Sequence, residues 1–348
     1  MTRSLSGGAP RPDPGRPRVQ NATGDPDAAI RARGLSKVYR SQWTLKRTVA
    51  LADLDLEVRR GEVFGCLGPN GAGKTTTFKI LTGLLRATRG AAWIMGVPIG
   101  DVASRRPLGV LPEQPYFYDY LTGHEYLAMV GQLSGLQRHD ADTRARRWFE
   151  RVGLGHRPRL MLRKYSKGML QRLGLAAALL HDPEVVILDE PMSGLDPFGR
   201  RDVRELIQEQ RASGVTVLFS SHILPDAEML CDRAALLFGG RVQRVITLGE
   251  LQKQGIQHVE IRLEGAPILE VPPPWSGRVE REAHGAETVL RVEGADLAQD
   301  VLRWVMERGA RVLAVEPQRG SLEGLFIAAA RQVDASGRDG EDSQRRSA

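Results

Sequence analysis

Gly68-Pro69-Asn70-Gly71-Ala72-Gly73-Lys74-Thr75 fills every fixed position of the spacing G-x-x-x-x-G-K-[ST] and directly follows an apolar run, Val63-Phe64-Gly65-Cys66-Leu67. The run reads as a strand and the residues from about Lys74 onward as a helix. Strand, glycine-rich turn and helix in that order form a phosphate cradle. The glycines let the loop Gly68, Pro69, Asn70, Gly71, Ala72 and Gly73 wrap closely enough for its backbone N–H groups, which Pro69 alone lacks, to face an anion, and the positive end of the helix dipole faces the same charge. Lys74 then reaches the outer phosphates of a nucleoside triphosphate, and the Thr75 hydroxyl is placed to hold Mg2+. Thr76 and Thr77 are neighbours on the helix, with Thr76 on the phosphate side.

A second stretch, Val185-Val186-Ile187-Leu188-Asp189-Glu190-Pro191, complements the first. An unbroken apolar run of this kind suits a central strand of a parallel sheet covered on both faces, whose polar residues emerge at the carboxyl edge where ligands collect. Asp189 is placed to orient Mg2+ through its water shell. Glu190, one step on and pointing the other way, is placed to polarise an attacking water, because phosphoryl transfer depends on a positioned nucleophile and neutralised charge.

With these two segments in place, the chain resembles the ATP-binding cassette of ABC transporters from Gly34 to about Arg241. Tyr165-Ser166-Lys167-Gly168-Met169 looks like the family's signature loop, whose usual form is Leu-Ser-Gly-Gly-Gln. The serine and the second glycine are kept, and Tyr165, Lys167 and Met169 depart from it. The resemblance implies that Ser166 and Gly168 approach the γ-phosphate of nucleotide held by another subunit, so that a homodimer or a paired second cassette completes each site. Ser166 also has the chemistry of a helix N-cap ahead of the apolar helix Leu170 to Leu180, and the two roles share one geometry. Gln114 looks like the glutamine that senses Mg2+ and the attacking water. His222, after the apolar strand Val215 to Phe219, resembles the switch histidine that contacts γ-phosphate, and Ser193 to Asp196 resembles the loop that crosses the dimer interface. Tyr39, read as preceding a strand upstream of the phosphate loop, looks like the aromatic that stacks on adenine, although an aromatic in a strand is more often a packing residue. Arg40 to Thr48 reads as a basic insertion or a solvated loop. The other histidines show no metal-like pairing.

The resemblance thus implies an α/β P-loop fold, with a parallel sheet core flanked by antiparallel β and helical subdomains. It implies an ATPase that uses ATP and Mg2+ and drives a separate integral membrane permease, in the manner of an exporter, from the cytoplasmic face of the membrane. A non-transport ABC ATPase acting on ribosomes or DNA is the alternative. Against the ribosomal form stands the presence of one cassette in place of two. Against the DNA form stands the lack of sustained heptads between Lys74 and Asp189.

Composition fits this reading. The 348 residues are 41% hydrophobic and 26% charged, a globular balance large enough for two cores. The longest strongly apolar stretch, Leu173 to Leu180, is far short of the roughly 20 residues of a membrane span. Met1 to Gln20 lacks the apolar core of a signal peptide. Cys66 and Cys231 are too few for a disulfide framework and read as reduced packing residues. The net charge of +7 is carried by scattered arginines with no interleaved stacking aromatics, so no nucleic-acid partner is expected, and anionic lipid headgroups account for it equally well.

Four divisions follow. Residues 1–28, rich in Pro, Gly, Asp and Arg, read as a disordered arm. Residues 29–241 form the cassette, with a helical subdomain over about 116–180 that opens on a capping box, Thr122 to Glu125, and continues with Leu127, Val130 and Leu133. A second helix from Asp140 carries Trp148, Phe149 and Val152 on one side. In the family this subdomain receives the permease, so Tyr116, Phe117, Tyr118 and Tyr120 are either contact residues or core. Residues 242–331 form a small C-terminal α+β domain. In it, His258 to Glu264, Glu287 to Val292 and Arg311 to Val315 read as strands, and Leu297, Val301, Leu302, Val305 and Met306 mark a helix ended by Gly309. Ser321 to Ile327 looks like the Ser-Leu-Glu-x-x-Phe ending of exporter cassettes. Residues 332–348 read as a disordered tail.

Overall fold

The computed structural model describes residues 27–40, 47–156, 158–253, 256–265, 271–319, 321–327 and 329–330. The chain enters through two long strands, β1 (Ala28–Arg40) and β2 (Arg47–Arg59), then β3 (Val63–Leu67) and α1 (Lys74–Leu81). Next, β4 (Arg89–Ile94) and β5 (Val97–Pro98) join the first two in an antiparallel sheet of order β2-β1-β4-β5. The strand β6 (Leu108–Leu111) leads to three helices, α2 (Gly123–Leu133), α3 (Arg138–Arg151) and α4 (Lys167–Leu179). The chain then alternates through β7 (Val185–Leu188), α5 (Pro197–Ala212), β8 (Thr216–Ser221), α6 (Leu224–Leu230), β9 (Arg233–Phe238), β10 (Arg241–Thr247) and α7 (Leu248–Lys253).

The second sheet has the order β10-β9-β3-β8-β7-β6, and every pair in it is parallel except β10 on β9. Its parallel strands are mostly apolar because both faces are covered, and their alternation sorts side chains into two cores, whereas the antiparallel edge strand β10 is largely exposed. Val63 and Leu67 of β3, Val186 and Leu188 of β7, and Val217 and Phe219 of β8 share one core with α4, α5 and α6. Phe64, Cys66, Val185, Ile187 and Leu218 share the other with α1 and the antiparallel sheet. The same alternation, carried one step past Leu188, sends Asp189 and Glu190 to opposite sides.

The helical subdomain has its own core, containing Phe117, Leu127, Phe149, Leu162, Tyr165 and Leu173. Its entry is the expected capping box: Glu125 N donates to Thr122 Oγ1 at 3.3 Å and Thr122 N to Glu125 Oε2 at 2.8 Å. Leu133, expected on the apolar side of α2, is instead 80% exposed, since six residues after Leu127 the helix has turned away from the core. The aromatic cluster divides: Phe117 is buried, whereas Tyr116, Tyr118 and Tyr120 are exposed.

The chain departs from the expected divisions at both ends of the cassette. Ala28 and Ile30 are already buried in β1, so the expected arm overruns the fold, and its residues 1–26 lie outside the described residues. Residues 41–46 of the expected basic insertion and the tail 332–348 also lie outside the described residues. The expected boundary at 241 falls on the first residue of β10, which completes the central sheet, and Ile246, Leu248 and Leu251 enter its core. The cassette therefore runs through α7.

Beyond it, β11 (Ile256–Glu264), β12 (Val279–His284), β13 (Glu287–Glu293), α8 (Ala295–Glu307) and β14 (Val312–Arg319) form an antiparallel sheet of order β12-β13-β11-β14. Leu297, Val301, Trp304 and Val305 of α8 cover one face, over Val259, Ile261, Leu290 and Val292. Met306, expected with them, is 64% exposed at the end of the helix, which Gly309 closes in the left-handed region at φ 73°. Residues 322–327 are helical and return to the cassette, with Leu322 buried in the core of α5 and α6. Among the described residues no helix is long and apolar enough to cross a membrane.

Candidate functional site

The phosphate loop joins β3 to α1, and two of its glycines have packing reasons. Gly73 is the N-cap of α1 at φ 104°, and a Cβ there would sit 2.9 Å from the Ala50 carbonyl oxygen and 2.7 Å from a Leu51 methyl. Gly68 lies against β9, where a Cβ would come 2.4 Å from the Leu237 carbonyl oxygen. Gly73→Ala is therefore expected to cost about 1–3 kcal/mol of stability through its backbone conformation alone, and to weaken ATP binding by displacing the loop. Thermal denaturation and nucleotide titration check this together.

Lys74 is almost fully buried. Its Nζ donates to the Gly68 carbonyl at 2.7 Å and the Pro69 carbonyl at 3.3 Å, and lies 3.5 Å from Glu190 Oε1. The ammonium is thus folded back into its own loop beside the acid.

The acid pair emerges from β7 as its register with β8 requires. Leu188 faces Phe219, so the next residues, Asp189 and Ser220, meet at the strand ends. Ser220 Oγ donates to Asp189 Oδ1 at 2.6 Å and accepts from Glu190 N at 2.8 Å. Glu190 adopts φ 51°, a left-handed conformation uncommon for a side chain of its size. Its carbonyl accepts from Ser193 N at 3.0 Å, and Gln171 Nε2 of α4 donates to the next carbonyl, Pro191, at 2.9 Å. These bonds hold the turn. One carboxylate oxygen of Glu190 is left toward Lys74, and the other lies 2.8 Å from His222 Nδ1. His222 is half-exposed, so its outer face is open to a ligand.

A cavity of about 610 Å³ fronts this arrangement. Its wall includes Tyr39, Pro69, Asn70, Gly71, Ala72, Gly73, Lys74, Thr75, Thr76, Glu190 and His222, all expected from the sequence. Ala72 contributes backbone, its methyl being buried in the core. Gly68 is absent from the wall because it faces Leu237. Tyr39 lies within β1, not ahead of a strand, and its ring is covered by Lys37 Nζ at 5.3 Å from the centroid. An adjoining cavity of about 430 Å³ holds Gln114 and Asp189, and Thr75 and Glu113 border both.

Ser166 and Gly168 line neither cavity. Ser166 caps α4, its Oγ accepting from Met169 N at 3.3 Å, and a Cβ on Gly168 would meet a Leu195 methyl at 3.4 Å. Asp196 caps α5 by accepting from Gly199 N at 2.7 Å. Three site residues escaped the sequence reading: Ser220, Gln171 and Glu113. The only cue for Ser220 is its place two residues before His222.

Among the described residues no group of three or more His, Cys, Asp or Glu side chains could hold a metal ion. The Thr75 hydroxyl and Asp189 offer hard oxygen donors that suit Mg2+ when phosphate and water complete its shell. Cys66, in the strand that feeds the loop, takes no part: burial pushes its thiol up to about 12, and both cysteines are free and buried.

Comparisons agree with the geometry. A family model described as ABC transporter matches residues 51–193. The uncharacterized ABC transporter ATP-binding protein all4389 of Nostoc sp. is 38% identical over 324 residues, spanning 92% of this chain and 95% of that one. The bacitracin transport ATP-binding protein BcrA of Bacillus licheniformis is 33% identical over 302 residues, spanning 86% of this chain and 96% of that one. Among solved structures, a dimeric post-hydrolysis state of the ATP-binding cassette MJ0796 bound to ADP and Pi superposes with a TM-score of 0.59 over 63% of this chain and 98% of that one. At 23% identity, that likeness concerns the fold.

Proposed function

Because this chain belongs to the ABC transporter ATP-binding proteins, a family of ATPases, we propose that it dimerises around two ATP–Mg2+ sites and powers export through a separate membrane permease. The observation that carries the dimer is the separation of the signature residues from the cavity. Lys74, Glu190 and His222 meet in one place, while Ser166 and Gly168 present a helix N-terminus elsewhere on the same chain. A second copy would bring that terminus to the γ-phosphate. The dimeric state of the MJ0796 cassette supports this reading. Export is supported by the likeness to a bacitracin transport protein, and the permease selects the substrate.

In the proposed cycle, triphosphate enters the loop and Lys74 exchanges the carbonyls of Gly68 and Pro69 for outer phosphate oxygens. Tyr39 packs on adenine. Thr75 and Asp189 would hold Mg2+, with Gln114 beside them, and the bound ion would supply charge neutralisation to the phosphates. Glu190, relieved of Lys74, accepts the proton of a water aligned on the γ-phosphorus. His222, with a proton on Nδ1, keeps the carboxylate oriented toward that water. Dimer closure on ATP pushes the permease, and hydrolysis resets it. A cassette of this kind sits at the cytoplasmic face of the membrane through its permease.

The test is affinity purification of tagged chain from detergent-solubilised cells of its own host. Stoichiometric recovery of a multi-span membrane protein supports the proposal. Recovery of ribosomes or DNA-associated proteins with no permease would overturn it in favour of a non-transport ATPase.

A further inference from the structure

The described chain ends on a helix that has left the C-terminal sheet and lies on the cassette. Ser321 caps it, accepting from Gly324 N at 3.1 Å. Leu322 is fully buried in the core that contains Ala227 and Leu230 of α6, with Leu325 and Phe326 packed against the same cluster. The Leu322 N–H donates to the Glu228 carboxylate of α6. The Phe326 ring lies 4.9 Å from that of Phe238, the last residue of β9. The helix therefore grips two elements at once.

Both elements lead directly to the site. The helix α6 begins two residues after His222, and the turn between them is closed by Ile223 N donating to Ser221 Oγ at 2.9 Å. Its other side is held by α5, where Arg204 donates to Asp226 at 2.8 Å. Phe238 follows Leu237, whose carbonyl abuts Gly68 of the phosphate loop. Removing the terminal helix would leave α6 held by α5 and by the sheet strands β3 and β8, with the apolar face that Leu322 covers exposed. His222, half-exposed and held by one contact to Glu190, is the group most sensitive to such freedom.

We propose that the terminal helix is a clasp, with Leu322 and Phe326 as positioning residues that hold α6 so that His222 stays against Glu190, making the rate of ATP hydrolysis depend on the C-terminal segment. The proposal rests on the role given to His222 above.

The test measures kcat and KM for ATP of the full chain carrying Phe326→Ala or Glu228→Gln, each in the wild-type and the His222→Ala background. In the wild-type background each substitution is expected to lower kcat, by about tenfold for Phe326→Ala and less for Glu228→Gln, with KM within about twofold. Phe326→Leu, which keeps apolar volume, restores most of the rate. In the His222→Ala background neither substitution lowers kcat further, because the group they position is gone. Equal fold losses in both backgrounds would overturn the clasp and leave the role of His222 standing. A wild-type rate for His222→Ala alone would overturn both. Because Glu228→Gln is a half-buried, near-isosteric change, it decides the question even if Phe326→Ala does not fold.

Discussion

Glu190→Gln is expected to slow ATP hydrolysis by about 10²–10⁴-fold while leaving ATP affinity within a few-fold of wild type. The substitution keeps the shape of the side chain and its place between Lys74, 3.5 Å away, and His222, 2.8 Å away. It removes the charge that can accept a proton from water. The strained backbone at φ 51°, the bond that Glu190 N donates to Ser220, and the bonds from Gln171 and Ser193 to the turn's carbonyls do not depend on that charge, so the site stays assembled. Affinity is unharmed because a neutral group beside the phosphates repels them less than a carboxylate does. Steady-state phosphate release and nucleotide titration separate the two effects. Hydrolysis at the wild-type rate would mean that another group is the base.

Lys74→Ala acts at the earlier step and is expected to weaken ATP binding by something over a hundredfold, from the loss of charge-assisted bonds worth about 3 kcal/mol together. The amine is nearly fully buried and already shares the loop with Glu190, so its removal also leaves that carboxylate facing the incoming phosphates without a cation. Both consequences act in the same direction. Lys74→Arg is not expected to restore binding, because a planar fork cannot replace a compact ammonium inside the turn of Gly68 and Pro69. Fluorescent nucleotide titration reads the loss, and near-wild-type affinity for the alanine variant would contradict the role given to Lys74.

Much of the site was legible because its chemistry is written in local spacing. The phosphate loop, the acid pair after β7 and the serine cap of α4 each occupy a few consecutive residues, and a buried parallel strand is recognisable from apolar continuity alone. Ser220 and Gln171 were not legible in the same way. Ser220 reaches Asp189 only through the register of β8 on β7, and Gln171 reaches the Pro191 carbonyl only because α4 packs there. Neither contact has a sequence signature.

The limits of the cassette were obscured for a similar reason. After the glycine turn at Gly239 and Gly240 the chain resembles a new beginning, yet β10 pairs back onto β9 and α7 fills the core. The strand β12, Val279 to His284, went unread because it is an edge strand with alternating charges and little apolar content. The sequence groups Ser321 to Ile327 with the C-terminal domain, whereas Leu322 is buried in the core of the cassette, a contact set by tertiary packing. Helical phase misled in two places, Leu133 and Met306, each at the end of a helix where the apolar stripe runs off the packed surface.

The claim that two chains build each site is tested most directly by sedimentation velocity of Glu190→Gln at micromolar concentration, with and without ATP and Mg2+. The account predicts a single-chain species without nucleotide and a stable species of twice that mass with it, retaining ATP through the run. A species that binds ATP tightly and still sediments as one chain would contradict it.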